Sequence, residues 1–428
     1  MDKYQLANRM SNNESYDAIK FALKGDIVLK DTQCVDVAKA LLVEKCLITA
    51  DTGLGKTYIA SALIKLILGR LSREPVGKFL FVCKLDQRYE TTQKILESTG
   101  LSCIFLDSSS STVDKIRGGL LEDVDVIMIT INCFSKATIL NELLRYRNRI
   151  DGVIFDEMHE YVNYKNSLNG EAIFMLAKNL RYVYGLTATP ENSREGQMED
   201  ILRCINYEEF PNEKDITKAL IGKADNYVLR ASIINRNREG GNREAVCLRV
   251  KPTQYQRENP DDLPFRVLLK GPTGKPQLNV LFRTIKDNMR KNQRGLIYAN
   301  LKVIQNAVLE EAKRQGVRAV LVNGEVTGKD RQKALNDFMN GDYDIIVTNI
   351  TTSIKIDSDY VVFYELSSDI KQTIGRTERG FNSKELYIYY VITVGTPEEE
   401  SYKEIYRKAR RAELKAGKDY SEVPKFFR

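Results

Sequence analysis

Residues 46–57 read Cys46-Leu47-Ile48-Thr49-Ala50-Asp51-Thr52-Gly53-Leu54-Gly55-Lys56-Thr57. A short apolar β-type run ends in a Gly-rich turn, and 58–68 continues with apolar residues at helical spacing. Strand, glycine turn and helix in that order form a phosphate-binding loop. The glycines let backbone N–H groups face phosphate oxygens at a helix N-terminus, where the helix dipole also favours anions. On this reading Thr52, Gly53, Gly55, Lys56 and Thr57 bind a nucleotide. Lys56 reaches the β- and γ-phosphates, and the Thr57 hydroxyl ligates Mg²⁺. Ala50 stands where the consensus carries its first glycine.

Working outward, the first half alternates buried-strand candidates with helix-like segments: 46–49, 79–83, 126–129, 153–155 and 182–186. A second series follows at 295–299, 319–322, 345–348, 361–364 and 386–392. Strands alternating with helices predict α/β units with parallel sheets, here two in tandem. In such sheets ligands bind at the carboxyl edge of the strands. Between the series, 231–238 and 243–251 flank Glu239-Gly240-Gly241-Asn242, a β-hairpin pattern. Pro252, Pro260, Pro264, Pro272 and Pro276 then mark a linker. The expected domains are 1–28 as an accessory segment, 29–228, a hairpin and linker over 229–276, and 277–428 with a basic C-terminal helix.

Further motifs fall at strand ends. Asp156-Glu157 follows Gly152-Val153-Ile154-Phe155. Asp156 is the expected Mg²⁺ ligand, and Glu157 orients or deprotonates an attacking water. His159, the chain's sole histidine, completes an Asp-Glu-x-His box. The hydroxyls of Thr187 and Thr189, in Gly185-Leu186-Thr187-Ala188-Thr189-Pro190, are placed to hydrogen-bond that box. Gln372-Thr373-Ile374-Gly375-Arg376-Thr377-Glu378-Arg379 puts two arginines three residues apart, suited to charge developing on a γ-phosphate.

Composition sets the class. With 43% hydrophobic and 29% charged residues the chain is a globular protein long enough for two or three domains. No apolar run reaches the roughly 18 residues that cross a bilayer. Seven scattered cysteines form no Cys-x-x-Cys pair, which argues against a disulfide framework or zinc site and for a cytoplasmic setting. The net charge of +7 is a mild bias toward polyanions.

Taken in order, these pieces resemble the superfamily 2 helicases of the Asp-Glu-x-His kind: 50–57, 156–159, 187–189 and 372–379 match its motifs I, II, III and VI. Leu29-Lys30-Asp31-Thr32-Gln33 resembles the glutamine motif, which implies adenine recognition by Gln33. The resemblance implies two tandem RecA-like domains, ATP and Mg²⁺ as cofactors, and catalytic roles for Lys56, Asp156, Glu157, Arg376 and Arg379. Gln372 joins the nucleotide-binding set, and His159, Thr187 and Thr189 couple nucleotide state to movement. Thr130 and Thr348 would touch a nucleic-acid backbone, with Arg236, Arg238 and Arg243 around the hairpin as a strand-separating wedge. The stretch 348–357 lacks the family's usual glycine, since Ser353-Ile354-Lys355-Ile356 stands there.

Tyr227-Val228-Leu229-Arg230, 250–256 and Gly395-Thr396-Pro397-Glu398-Glu399 resemble the Snf-type branch, and the size is similar to that of small phage branch-migration helicases. The expectation is an ATP-dependent DNA helicase or translocase, active as a monomer on forked, branched or duplex DNA in replication, recombination or repair. It would work in the cytoplasm, that of the host if phage-encoded, with replication or recombination proteins as further partners. A duplex translocase, an RNA helicase and a nucleic-acid clamp with a vestigial ATP site are the alternatives.

Overall fold

The structure is a computed structural model. It describes all residues except 1, 11–14, 52, 71–76, 84–86, 108, 110, 135, 161, 163–167, 192–194, 223–224, 237–242, 260–263, 327, 350–355, 368–369, 376–385, 418–422 and 426–428. The chain divides into two compact units, one of 1–237 with 414–418, the other of 238–413 with 419–428.

The first unit is built on seven strands: β1 (Lys45–Ala50), β2 (Lys78–Cys83), β3 (Cys103–Leu106), β4 (Val126–Thr130), β5 (Ile150–Phe155), β6 (Tyr182–Thr187) and β7 (Ile233–Arg236). Their spatial order is β3-β4-β2-β5-β6-β1-β7, and every pairing is parallel. Helices cover both faces of such a sheet, so its inner strands bury both sides and read as continuous apolar runs. β2 and β6 are buried at every residue. That is why 79–83 and 182–186 are legible in the sequence. Separate apolar clusters occupy the two faces, one around Val153, Phe155 and Met158, the other around Ile48, Leu63 and Tyr184. Each fully buried Val, Leu or Ile contributes about 1.5–3 kcal/mol.

Residues before Leu29 are part of this unit. Tyr4, Ile19 and Leu23 pack in the same cluster as Val37 and Leu63. Asn8 donates to the Tyr227 carbonyl at 2.8 Å, which ties the first helix, Lys3–Arg9, to the helix Tyr227–Ala231. Within the segment expected as accessory, Lys3–Arg9 and Ser15–Leu23 are helices packed with this unit.

The second unit carries β8 (Arg243–Val250), β9 (Gly295–Tyr298), β10 (Ala319–Val322), β11 (Ile345–Thr348), β12 (Tyr360–Phe363) and β13 (Leu386–Thr393). The order is β10-β11-β9-β12-β13-β8, again all parallel. Two parallel-sheet α/β units confirm the tandem fold expected from the sequence.

The β-hairpin is corrected. β7 pairs with β1, Leu47 opposite Ile233, and β8 pairs with β13, Leu386 opposite Arg243. The two strands join different sheets, so neither needs the other as a partner. The tip, 239–242, and Arg238 lie outside the described residues. The proline-rich stretch is no free linker either. It contributes the helices Gln254–Glu258, Phe265–Lys270 and Lys275–Met289, the last with proline in its first turn, where the missing N–H costs nothing.

Candidate active site

The phosphate loop leaves β1 at Ala50 and enters the helix Lys56–Arg70. Gly53 and Gly55 hold φ of 86° and 80°, the left-handed region that glycine adopts without steric cost. Ala50 keeps ordinary strand backbone and is fully buried, so no glycine is required there. Its carbonyl accepts a hydrogen bond from Lys56 Nζ at 3.0 Å. The same ammonium lies 3.8 Å from Glu157 Oε1, joining the loop to the acidic box.

Gln33 braces this loop from the side. It sits in the first turn of the helix Asp31–Val43; its Oε1 accepts from the Lys30 N–H at 2.8 Å, and its Nε2 donates to the Leu54 carbonyl at 2.9 Å. A Cβ at Gly55 would stand 2.3 Å from Gln33 Nε2, so the Gln33 carboxamide would have to swing away, and the φ of 80° disfavours any side chain there. Beyond the adenine role implied by the resemblance, Gln33 is thus a structural strut of the phosphate loop.

At the end of β5 the chain turns sharply. Asp156 donates its N–H to the Val82 carbonyl at 2.9 Å, and Glu157 takes φ of 50°. A non-glycine residue in that region costs on the order of 1 kcal/mol, and such strain concentrates at functional sites. Both carboxylates are buried. His159, in the short turn Met158–Glu160, is 3% exposed; its Nδ1 lies 2.7 Å from Thr187 Oγ1 and 3.6 Å from Glu157 Oε2. Its Nε2 lies 3.2 Å from Thr189 Oγ1. Each ring nitrogen faces a hydroxyl, so either neutral tautomer is satisfied. Thr187 Oγ1 also accepts from the Thr189 N–H at 3.0 Å. The structure therefore brings together Lys56, Glu157, His159, Thr187 and Thr189.

Some features gave no signal in the sequence. Gln197 donates its side-chain amide to the His159 carbonyl. Asn235 of β7 pairs with Thr49 Oγ1 at 3.0 Å, one residue before Ala50. The Arg236 carbonyl accepts from the Asp51 N–H at 3.1 Å. Arg236 itself is a correction: its guanidinium binds both oxygens of Asp36 at 2.7 and 3.2 Å and donates to the Thr32 carbonyl at 3.2 Å. It locks edge strand β7 to the Gln33 helix and is not a wedge residue, because β7 lies in the sheet rather than in a hairpin.

Thr130 ends β4 at the carboxyl edge of the sheet, where its hydroxyl accepts from the Cys133 N–H at 3.3 Å. Thr348 ends β11 fully buried, so its side chain presents no surface to a nucleic acid in this structure. Thr52, Arg376 and Arg379 fall outside the described residues, as do the side chains of Arg243 and Gln372.

Two family models match the chain in tandem: the type III restriction enzyme res subunit over residues 22–192, and the helicase conserved C-terminal domain over residues 276–380. The first match lies within the first unit and the second, a helicase domain by its description, within the second unit, which implies an ATP-hydrolysing enzyme of helicase type. UvrABC system protein B from two Clostridium botulinum strains, Kyoto and Langeland, is 22% identical over 204 residues in each case. The match takes in 42% of this chain and 30% of either relative, so the chain spans less than a third of those relatives' length in the match.

Among solved structures, the Pyrococcus furiosus Hef helicase domain is 17% identical at a TM-score of 0.54, covering 87% of this chain and 97% of that one. It shows the same fold. The Sulfolobus solfataricus SWI2/SNF2 ATPase core in complex with dsDNA is 16% identical at a TM-score of 0.44, covering 97% and 96%. No helix among the described residues is long and apolar enough to cross a membrane.

Proposed function

We infer that the chain is a nucleic-acid-dependent ATPase that opens or translocates DNA, with forked or branched DNA as its preferred track. One observation carries this: His159 stands between Glu157 and two threonines at and just past the end of β6, Thr187 and Thr189, with a hydroxyl on each ring nitrogen. The carboxylate assigned to act on water is thereby linked through His159 to the segment that carries Thr187 and Thr189.

Lys56 binds the β- and γ-phosphates, leaving the Ala50 carbonyl to do so. Glu157 orients the attacking water and takes its proton. Thr57, in the first turn of the loop helix, and Asp156, buried just past the end of β5, would hold a Mg²⁺ ion. Such an ion would supply charge neutralisation at the phosphates. Arg376 and Arg379 are assigned from the sequence to offset charge on the γ-phosphate, and Thr130 to a backbone phosphate.

The likeness of the first unit to a restriction-enzyme subunit favours DNA over RNA. Snf-type and phage branch-migration kinship belong to the same proposal, as do a monomeric state, a cytoplasmic setting and replication or recombination partners. The test compares ATPase stimulation by single-stranded, duplex, forked and four-way DNA and by RNA, with strand displacement measured in parallel. Strongest stimulation and displacement with forked or four-way DNA supports the reading. Preference for RNA, or stimulation by duplex without displacement, replaces it with one of the alternatives.

A further inference from the structure

The segment Leu414–Lys418 folds with the first unit, although the chain on either side of it belongs to the second. Within it Lys415 is buried. Its Nζ lies 3.0 Å from Glu191 Oε1 and 2.8 and 3.1 Å from the two oxygens of Glu199. Both carboxylate side chains are 1% exposed. Two carboxylates gathered on one buried ammonium repel each other, and the shared cation offsets that repulsion. Burial lifts the Glu191 carboxyl above its ordinary range, and Lys415 opposes that lift.

The triad touches the ATP site only through intermediaries. Glu191 follows Thr189 and Pro190, and its carboxylate also accepts from the Met198 N–H at 3.3 Å. Glu199 accepts the Thr217 hydroxyl at 2.8 Å. Between them on the helix Gln197–Ile205, Gln197 holds the His159 carbonyl. Two residues past Lys415, the Gly417 carbonyl accepts from Asn235 Nδ2 at 3.0 Å, and Asn235 meets Thr49 on β1.

We propose that Lys415 is a positioning residue for ATP hydrolysis: by clamping Glu191 and Glu199 together it fixes the turn that carries Thr187 and Thr189, and so holds His159 in register with Glu157. This rests on the ATPase reading above. A buried lysine with no part in the chemistry thereby sets the rate of the step rather than the affinity for ATP.

The test measures ATP turnover with saturating forked DNA for the parent, K415M, K415R and K415M/E199Q, with the thermal midpoint of each. K415M lowers kcat about tenfold with KM for ATP within about twofold, the signature of lost transition-state stabilisation rather than lost binding. K415R recovers most of that rate. K415M/E199Q carries the same net charge as the parent triad; it regains the midpoint and stays slow. Parental kcat in K415M overturns the proposal, as does a kcat in K415M/E199Q that returns together with its midpoint. A parent that does not hydrolyse ATP overturns the function itself and the proposal with it; a fully active parent beside an equally active K415M overturns the proposal alone.

Discussion

Gln33 and Gly55 are matched: the Gln33 carboxamide occupies the place that a side chain at 55 would fill, 2.3 Å from where its Cβ would stand, and bonds the Leu54 carbonyl next to it. The nucleotide loop is thus held in shape from outside by a residue 21 positions earlier in the chain. Shape held in advance lowers the conformational cost of binding.

Removing that brace weakens nucleotide binding before it slows chemistry. Gln33→Ala loses the bonds to Lys30 and Leu54, each worth about 1 kcal/mol net. KM for ATP rises about tenfold, with kcat changed far less, in steady-state hydrolysis. Gly55→Ala is worse, since it strains the backbone at φ of 80° and displaces the Gln33 carboxamide from the Leu54 carbonyl. ATP binding by that variant, followed by calorimetry, drops below detection while the thermal midpoint falls by only a few degrees.

The His159 wiring separates chemistry from its regulation. His159→Ala leaves Glu157 and Lys56 in place and removes the link to Thr187 and Thr189. Hydrolysis without nucleic acid stays within about threefold of the parent, whereas stimulation by DNA falls about tenfold or more, a coupling loss of ~1.4 kcal/mol. Equal losses in both rates would place His159 in the chemistry instead.

Arg236 is a stability residue. Asp36 has a 2% exposed side chain and loses its bidentate partner in Arg236→Ala, which leaves a buried carboxylate uncompensated at a cost of roughly 3–5 kcal/mol. Burial holds the Asp36 carboxyl above the ordinary carboxylate range, and Arg236 is the first group opposing that shift. A carboxyl raised on folding favours the folded state while protonated, and this contribution is lost as pH rises through the folded pKa. Without Arg236 that pKa climbs further. The stability deficit of Arg236→Ala therefore grows from acid to neutral pH, as thermal unfolding across that range will show, while DNA affinity at moderate salt stays near the parent's.

The sequence and the structure part company in an instructive way. Lys56, Glu157, His159, Thr187 and Thr189 were legible because each lies within a few residues of a buried strand end, where local pattern and chemistry coincide. β3 was missed: Cys103–Leu106 is four residues long and mostly half-buried, so it lacks the apolar density of its neighbours. The hairpin was misread because Gly240-Gly241 between two β-type runs is a turn signal, whereas parallel partners far along the chain leave no local trace. Arg236 with Asp36, Asn235 with Thr49 and Lys415 with Glu199 meet across long stretches of chain, and nothing in the sequence near any of them announces the match.

The central claim is that Glu157 turns over ATP in response to nucleic acid. Steady-state hydrolysis of the parent and Glu157→Gln, each with and without forked DNA, tests it most directly. The parent accelerates about tenfold or more with DNA, and Glu157→Gln binds ATP yet turns over at least ~100-fold more slowly, the usual loss when a general base is removed. A parent rate indifferent to every nucleic acid, or a Glu157→Gln variant that hydrolyses like the parent, would contradict it.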